Sequence, residues 1–458
     1  MSDCRAEILK YHEGGKVGTL LTKILDGPET LSMAYTPGVA LPVQEIAQTP
    51  DTVYECTAKR NLVAVVSDGT AILGLGDLGA TASIPVMEGK AVLFKAFGDV
   101  DAWPVPVEFC RQNGGRTGKT DPERVIDTVA RLACMYGGIN LEDIAAPACF
   151  EIERRLDELL DIPVFHDDQW GTAVITLAGV FNYGQLADRQ LADMRFVING
   201  AGAAGIRIAD MLKDAGALSI SMCDSKGVIH DGRTDLNEMK RRYAVKTANR
   251  TLEEALRGAH VFIGVSAADC LQPDWIKGMA SYPAIFAMAN PNPEIRPNKV
   301  AAVFGRKPYV MATGRSDYPN QINNVLGFPF LFRGALDMRA STINMAMKKA
   351  AARALADLAR LPVPEEMKVI YKDTGLTFGP GYIVPKPFDQ RLFTEVSAAV
   401  ARAAVESGVA RKAGALKDYP EQLKQRLKTM WRKKNTPGGV TGPTKRPVSC
   451  RPRALTRR

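Results

Sequence analysis

MRFVINGAGAAGIRIADMLKDAGALSISMCDSK, residues 194–226, is the stretch whose reading decides the fold. Its apolar run Phe196-Val197-Ile198 ends in Gly200-Ala201-Gly202-Ala203-Ala204-Gly205 and passes into the helical spacing of Ile206 to Leu212. That order predicts strand, tight turn and helix. A second strand-like run, Leu218 to Met222, delivers Asp224 nineteen residues after Gly205. The pattern is that of a dinucleotide-binding unit, in which each part has a physical reason. Gly200 permits the turn, Gly202 lets the backbone approach a pyrophosphate, and Gly205 lets helix and strand pack closely. The amides of Ala203, Ala204 and Gly205 then open a helix whose dipole favours phosphate. Asp224 suits the ribose hydroxyls of NAD, whereas Ser225 and Lys226 offer ligands for the 2′-phosphate of NADP. The residues lean slightly toward NAD.

Working outward, further strands at His260–Val265, Ala284–Ala289 and Tyr309–Ala312 alternate with helical segments, among them one opened by the capping box Thr251-Leu252-Glu253-Glu254. This alternation predicts a doubly wound parallel sheet. Asn290-Pro291 and the amide cluster Asn320-Gln321-Ile322-Asn323-Asn324 fall beyond strand ends, on the edge where ligands bind. There Asn290, Asn323 and Asn324 either cap helices or hold a carboxylate and a carboxamide. A continuous helical pattern is read from Ala335 to about Leu358, and a last amphipathic helix from Arg391 to Ser407.

Upstream, Leu62–Val66 reads as a buried strand leading through Asp68-Gly69-Thr70 to Gly74-Leu75-Gly76-Asp77-Leu78-Gly79. No acid follows at ribose spacing, so this is a glycine-rich site loop and not a second cofactor turn. Lys90 lies in the largely apolar segment Ile84–Phe97, where it either snorkels or serves as a base of lowered pKa. Tyr35, just before Pro37-Gly38, is held at a turn. Ile139-Asn140-Leu141 leads into Glu142-Asp143, and Ile162–Phe165 leads into His166-Asp167-Asp168, with one helix between. In a right-handed crossover the two strand ends share one sheet edge, so four carboxylates gather there. They repel unless a cation or a lysine neutralises them, and an all-oxygen set suits Mg2+ or Mn2+. N-capping by Asp168 accounts for one acid only.

The chain has 458 residues, 46% hydrophobic and 24% charged, with no stretch approaching a bilayer span and no apolar leader near the N-terminus. Eight scattered cysteines without a CxxC read as reduced thiols of a cytoplasmic protein. The net charge of +9 is local. Residues 411–458 hold 15 Lys and Arg against 2 acids, while the remainder has 44 basic and 48 acidic residues. With its prolines and glycines, this end reads as a solvated basic extension in preference to a nucleic-acid arm.

Taken together, YTPGVA, DGTAILGLGDLGA, PVMEGKAVLFK, INLEDIAAP, HDDQWGTA, INGAGAAG, FAMANPNPEI, TGRSDYPNQINN and YIVPKPFD, in this order, resemble the malic enzymes in their shorter prokaryotic form, from about Tyr11 to Ala410. The resemblance implies oxidative decarboxylation of (S)-malate to pyruvate and CO2 with NAD or NADP and a divalent cation. It implies Tyr35 as general acid and Lys90 as general base, with Asp167 beside the lysine. Glu142, Asp143 and Asp168 would be the metal ligands, and Asn290 and Asn324 would touch malate or nicotinamide. Trp170 stands where short forms often carry His, and Ala71 where longer forms place a substrate arginine. A homodimer or higher homo-oligomer is the implied assembly. The expected organisation is an α/β catalytic domain over 1–163, a Rossmann-type NAD(P)-binding domain over 164–390, a C-terminal helix over 391–418 and a disordered basic tail over 419–458. A metal-independent dehydrogenase of another small acid, or a dinucleotide sensor without turnover, would share the fold. The carboxylate trio argues against the first, because hydride transfer alone needs no metal.

Overall fold

The computed structural model describes residues 2–434, with side chains over 5–430. Two parallel sheets stand in sequence. The first comprises β1 (Leu62–Ser67), β2 (Asp101–Pro106), β3 (Gly138–Leu141) and β4 (Val164–His166) in the order β2-β1-β3-β4. The second comprises β5 (Arg195–Asn199), β6 (Ser219–Asp224), β7 (Gly227–Val228), β8 (Val261–Gly264), β9 (Ala284–Ala287) and β10 (Val310–Thr313) in the order β10-β9-β8-β5-β6-β7. Only β7 runs antiparallel to its neighbour. The central strands β8 and β9 are apolar and buried throughout and β1 is apolar up to Ser67, as strands covered by helices on both faces are.

Register places the chemistry. Val66 is level with Leu141, and Leu141 with His166, so Asp68, Glu142-Asp143 and Asp167-Asp168 all emerge at one edge. In the second sheet the order reverses beside β5, which opens a crevice at the carboxyl ends of β5 and β8. A 21-residue helix, Asp167–Ala187, leaves β4 and packs on the helix Ala203–Asp214 that follows β5.

Four expectations are corrected. Since β4 pairs with β3, the boundary expected at 163/164 shifts beyond His166. The helix Phe328–Asp337 also returns to the first sheet's layer, where Phe328 and Phe332 meet Phe94 edge to face at 4.7 and 5.2 Å. The single helix expected from Ala335 to Leu358 is two, Phe328–Asp337 and Met345–Arg360. Arg339 adopts a left-handed φ of 48°, and Asn344 caps the second helix by accepting from the Met347 amide at 3.1 Å. Lastly, the basic end is not disordered from 419. Tyr419–Lys434 is helical, and Tyr419, Leu423, Leu427 and Met430 form an apolar stripe that packs on the main core. Tyr419 donates to Asp337 at 2.8 Å and Arg426 pairs with Asp99 at 2.7 Å. Residues 435–458 lie outside the described residues. No helix among the described residues is long and apolar enough to cross a membrane.

Candidate active site in the interdomain cleft

The helix Ala80–Gly98 projects Lys90 into the acids at the edge of the first sheet. Lys90 Nζ lies 2.5 Å from Asp167 Oδ2 and 2.9 Å from Glu142 Oε1, and 4.4 Å from the centre of the Phe328 ring. Glu142, Asp143 and Asp168 each turn a carboxylate oxygen toward a common point, all within 4.8 Å of one another. Glu142 and Asp143 are buried, and Asp143 Oδ2 has no hydrogen-bond partner. A buried, unpartnered oxygen beside two further carboxylates is the donor set a hard divalent cation requires, so these residues fit the metal expected of them.

Electrostatics agree. Burial raises the Glu142 and Asp167 carboxyls above their ordinary range and pushes Asp143 up to about 7, with the Asp168 charge adding to the last. Burial also works against the Lys90 ammonium, but the charges of Asp167, Glu142 and Asp168 outweigh it and hold the amine above its usual value. The three acids therefore favour the ammonium form of Lys90, and a cation bound among them would weaken that preference. His166 is wholly buried, lowered to about 4 by that burial, and stands outside the three-acid cluster. The capping reading of Asp168 also fails. Asp167 and Asp168 lie inside the first turn of their helix, and the Asp168 carboxylate accepts from the Asp143 amide at 2.7 Å.

The glycine-rich loop after β1 reaches this cluster, its Leu73 amide donating to Asp143 Oδ1 at 3.3 Å. A buried ion pair at 2.7 Å between Arg111 and Asp68 anchors the loop, which sequence reasoning did not find. Asn324 donates to Asp167 Oδ2 at 3.2 Å and accepts from Thr172 at 3.0 Å, so its amide orients the acid beside Lys90. Asn323 caps a short turn through the Val325 amide, and Asn290 is exposed across the cleft, its carbonyl facing Gly74. Tyr35 is 68% exposed at the end of the helix Pro28–Ala34, and no described contact joins it to Lys90.

The second half of the cleft is a cavity of about 800 Å3 lined by Asn199, Gly200, Gly202, Asp224, Lys226 and Lys240 among others. A Cβ on Gly205 would lie 1.8 Å from the Gly200 carbonyl, and one on Gly200 would lie 2.5 Å from that of Val265. A Cβ on Gly202 would meet nothing, because it points into the open cavity where a pyrophosphate would lie. The turn thus fits a dinucleotide. Asp224, however, is occupied: Arg233 contacts it at 2.8 Å and Lys240 at 2.7 Å. Burial favours raising this carboxyl, yet the hydrogen bonds from Arg233 and Lys240 hold it down at about 2. Both cations lie 9 and 16 residues beyond Asp224 and carry no motif of their own.

Comparison with known proteins addresses both halves of this cleft. Residues 14–157 match the malic enzyme N-terminal domain and residues 170–372 the malic enzyme NAD binding domain. A probable NADP-dependent malic enzyme of Rickettsia prowazekii is 54% identical over 92% of this chain, which spans only 54%, about half, of that relative's length. The NADP-dependent malic enzyme of Halomonas elongata is 51% identical over 90% of this chain and is itself covered over 96%. The crystal structure of a malic enzyme from Pyrococcus horikoshii superposes with a TM-score of 0.82 at 38% identity, covering 94% of this chain and 96% of that one. The two matched domains meet where β4 hands Asp167 and Asp168 to the dinucleotide-binding half, and with both present the chain belongs to the malic enzyme family.

Proposed function

We propose that this protein catalyses oxidative decarboxylation of (S)-malate to pyruvate and CO2, with NADP preferred over NAD. The observation that carries the reading is Glu142, Asp143 and Asp168 converging beside Lys90, in a chain whose Ala146 and Pro147, just after Asp143, line the same cavity as the Gly200–Gly202 turn. Glu142, Asp143 and Asp168 would hold Mg2+ or Mn2+. When bound, the cation supplies a Lewis acid for the C2 oxygen and the nicotinamide a hydride acceptor. The chain's own groups handle protons. With a cation on Glu142, Asp143 and Asp168 their hold on the ammonium would relax, and Lys90 Nζ, once neutral, would take the C2 hydroxyl proton as hydride leaves C2, while Asp167 and Phe328 fix the amine and keep water away. After CO2 departs, the Tyr35 phenol gives one proton to C3 of the enolate. One proton is taken and one returned, so the reaction balances as malate and oxidised cofactor to pyruvate, CO2 and reduced cofactor. Asn290 and Asn323 would contact malate, and Asn324 would serve it through Asp167, to which it donates.

The NADP preference rests on charge. Around the ribose end, Lys226, Arg233 and Lys240 pair with Asp224 and Asp235 while Arg250 lines the same cavity, so these four cations exceed the two acids by two charges, the number a 2′-phosphate dianion would neutralise. Asp224, already bonded to two cations, is poorly placed to accept from both ribose hydroxyls. A homodimer is the proposed assembly. Leu20, Leu21, Ile24, Met33, Leu41 and Val43 are all more than half exposed, an apolar row that a second copy would cover together with Tyr35. The test is to supply malate, Mn2+ and each nicotinamide in turn. Pyruvate, CO2 and NADPH in equal amounts are expected, and reduced cofactor without CO2 would overturn the reading.

A further inference from the structure

Arg207 occupies the fifth position of the helix that follows the Gly200–Gly205 turn, yet it points away from the cofactor cavity toward the metal acids' supports. Its Nε donates to Gln169 Oε1 at 2.8 Å, its Nη2 to Glu153 Oε2 at 3.2 Å and its Nη1 to Asp210 at 3.1 Å. The faces of the guanidinium lie 4.5 Å from the centre of Trp170 and 5.1 Å from that of Phe150. Gln169 is the residue after Asp168. Glu153 sits on the helix Ala148–Leu159, which follows Glu142 and Asp143, and its other oxygen accepts from the His166 amide at 3.3 Å. One side chain therefore uses its fork to tie together the backbone segments that carry all three metal acids and the helix whose N-terminus receives the phosphates. Glu153 and Gln169 are buried, so neither has water to replace the arginine. Trp170 is gripped further by Lys348, whose amine lies 3.6 Å from the ring centre.

We propose that Arg207 is a positioning residue through which a dinucleotide seated on the phosphate turn tightens the grip of Glu142, Asp143 and Asp168 on their cation. The proposal rests on the functional reading above. It touches neither substrate, cofactor nor metal, so its effect runs through Gln169, Glu153 and the strand end at His166. A planar fork is required. Lysine keeps the charge but cannot reach three acceptors and stack on two rings at once. Reciprocity follows from linkage, so the cation tightens the dinucleotide by the same factor.

The test is Mn2+ binding followed by electron paramagnetic resonance, with and without NADP, on the full chain and on Arg207→Lys. In the parent, NADP is expected to tighten Mn2+ by roughly 5-fold or more. In Arg207→Lys, Mn2+ is expected to bind roughly 10-fold more weakly and the tightening to vanish. Because Glu153 loses its fork in that variant, Gln169→Leu is measured beside it. It leaves the Arg207–Glu153 pair intact while removing the Gln169 bonds to Arg207 and to the Cys149 carbonyl, and the same loss of coupling is expected in protein that is still folded by its cooperative thermal transition. A parent that binds neither Mn2+ nor NADP would sink the functional reading. A parent that binds both without coupling, or a Gln169→Leu variant that keeps the coupling in full, would sink the role of Arg207 alone.

Discussion

Replacing Lys240 by alanine separates the two cofactors in a way the geometry makes quantitative. Its amine lies 2.7 Å from Asp224 Oδ2 and its side chain is about a quarter exposed, so it stands at the ribose end of the cavity, neither buried nor free in solvent. Asp224 keeps Arg233 at 2.8 Å after the change, so the local fold keeps an ion pair. What is lost is one charge-assisted contact to a 2′-phosphate, worth about 1.5–3 kcal/mol. That range corresponds to a rise of roughly 10- to 150-fold in KM for NADP, with kcat nearly unchanged because the contact is the same in ground and transition states. NAD has no phosphate there, and its KM should move by less than about 3-fold. Steady-state kinetics with both cofactors at saturating malate and Mn2+ measure the ratio directly. Equal losses for NAD and NADP, or no change for either, would refute the charge argument and return Asp224 to the ribose.

Lys90→Met should lower kcat by at least about 100-fold while NADP and Mn2+ still bind, as titration of each would show. Gly171→Ala puts a Cβ 2.1 Å from Asp167 Oδ1 and 2.9 Å from Asn324 Cγ. Displacing that pair should lower stability by about 1–3 kcal/mol and depress turnover, and an unchanged melting midpoint with full activity would contradict the packing. Burial lowers the Lys348 amine from 10.5 to about 8, so between these values the folded chain binds fewer protons than the unfolded one. Its contribution therefore penalises the fold at pH 7 and is relieved as pH rises from 8 toward 10.5. The indole beneath the amine offsets part of that penalty. Denaturant unfolding of Lys348→Met against the parent should show the variant relatively more stable at pH 7, with the gap closing by pH 10. Parallel curves would rule out the buried cation as the cause.

Much of the dinucleotide half was legible because its signal is local. Gly200, Gly202 and Gly205 fall where the turn demands them, and the Thr251–Glu254 capping box forms as read. The meeting of Glu142, Asp143 and Asp168 was legible for a topological reason, since crossover handedness puts both strand ends on one edge. What stayed hidden depends on pairing across distance. Asp101–Pro106 carries two prolines and does not look like a strand, but at the sheet edge Pro104 and Pro106 are tolerated. Charge composition masked the 4-4-3 spacing of Tyr419, Leu423, Leu427 and Met430, which marks a helix. Arg207, Arg233 and Lys240 became visible only when the chain brought them to Gln169 and Asp224.

The central claim is that acids from two segments, on either side of one helix, share a single cation. Counting Mn2+ by electron paramagnetic resonance on the purified chain tests it most directly. One tightly held ion per chain is expected, with its loss in Asp168→Asn, since removing one of three carboxylates leaves a set too weak for a hard cation. No bound ion in the parent, or an ion retained undiminished in the variant, would contradict the account.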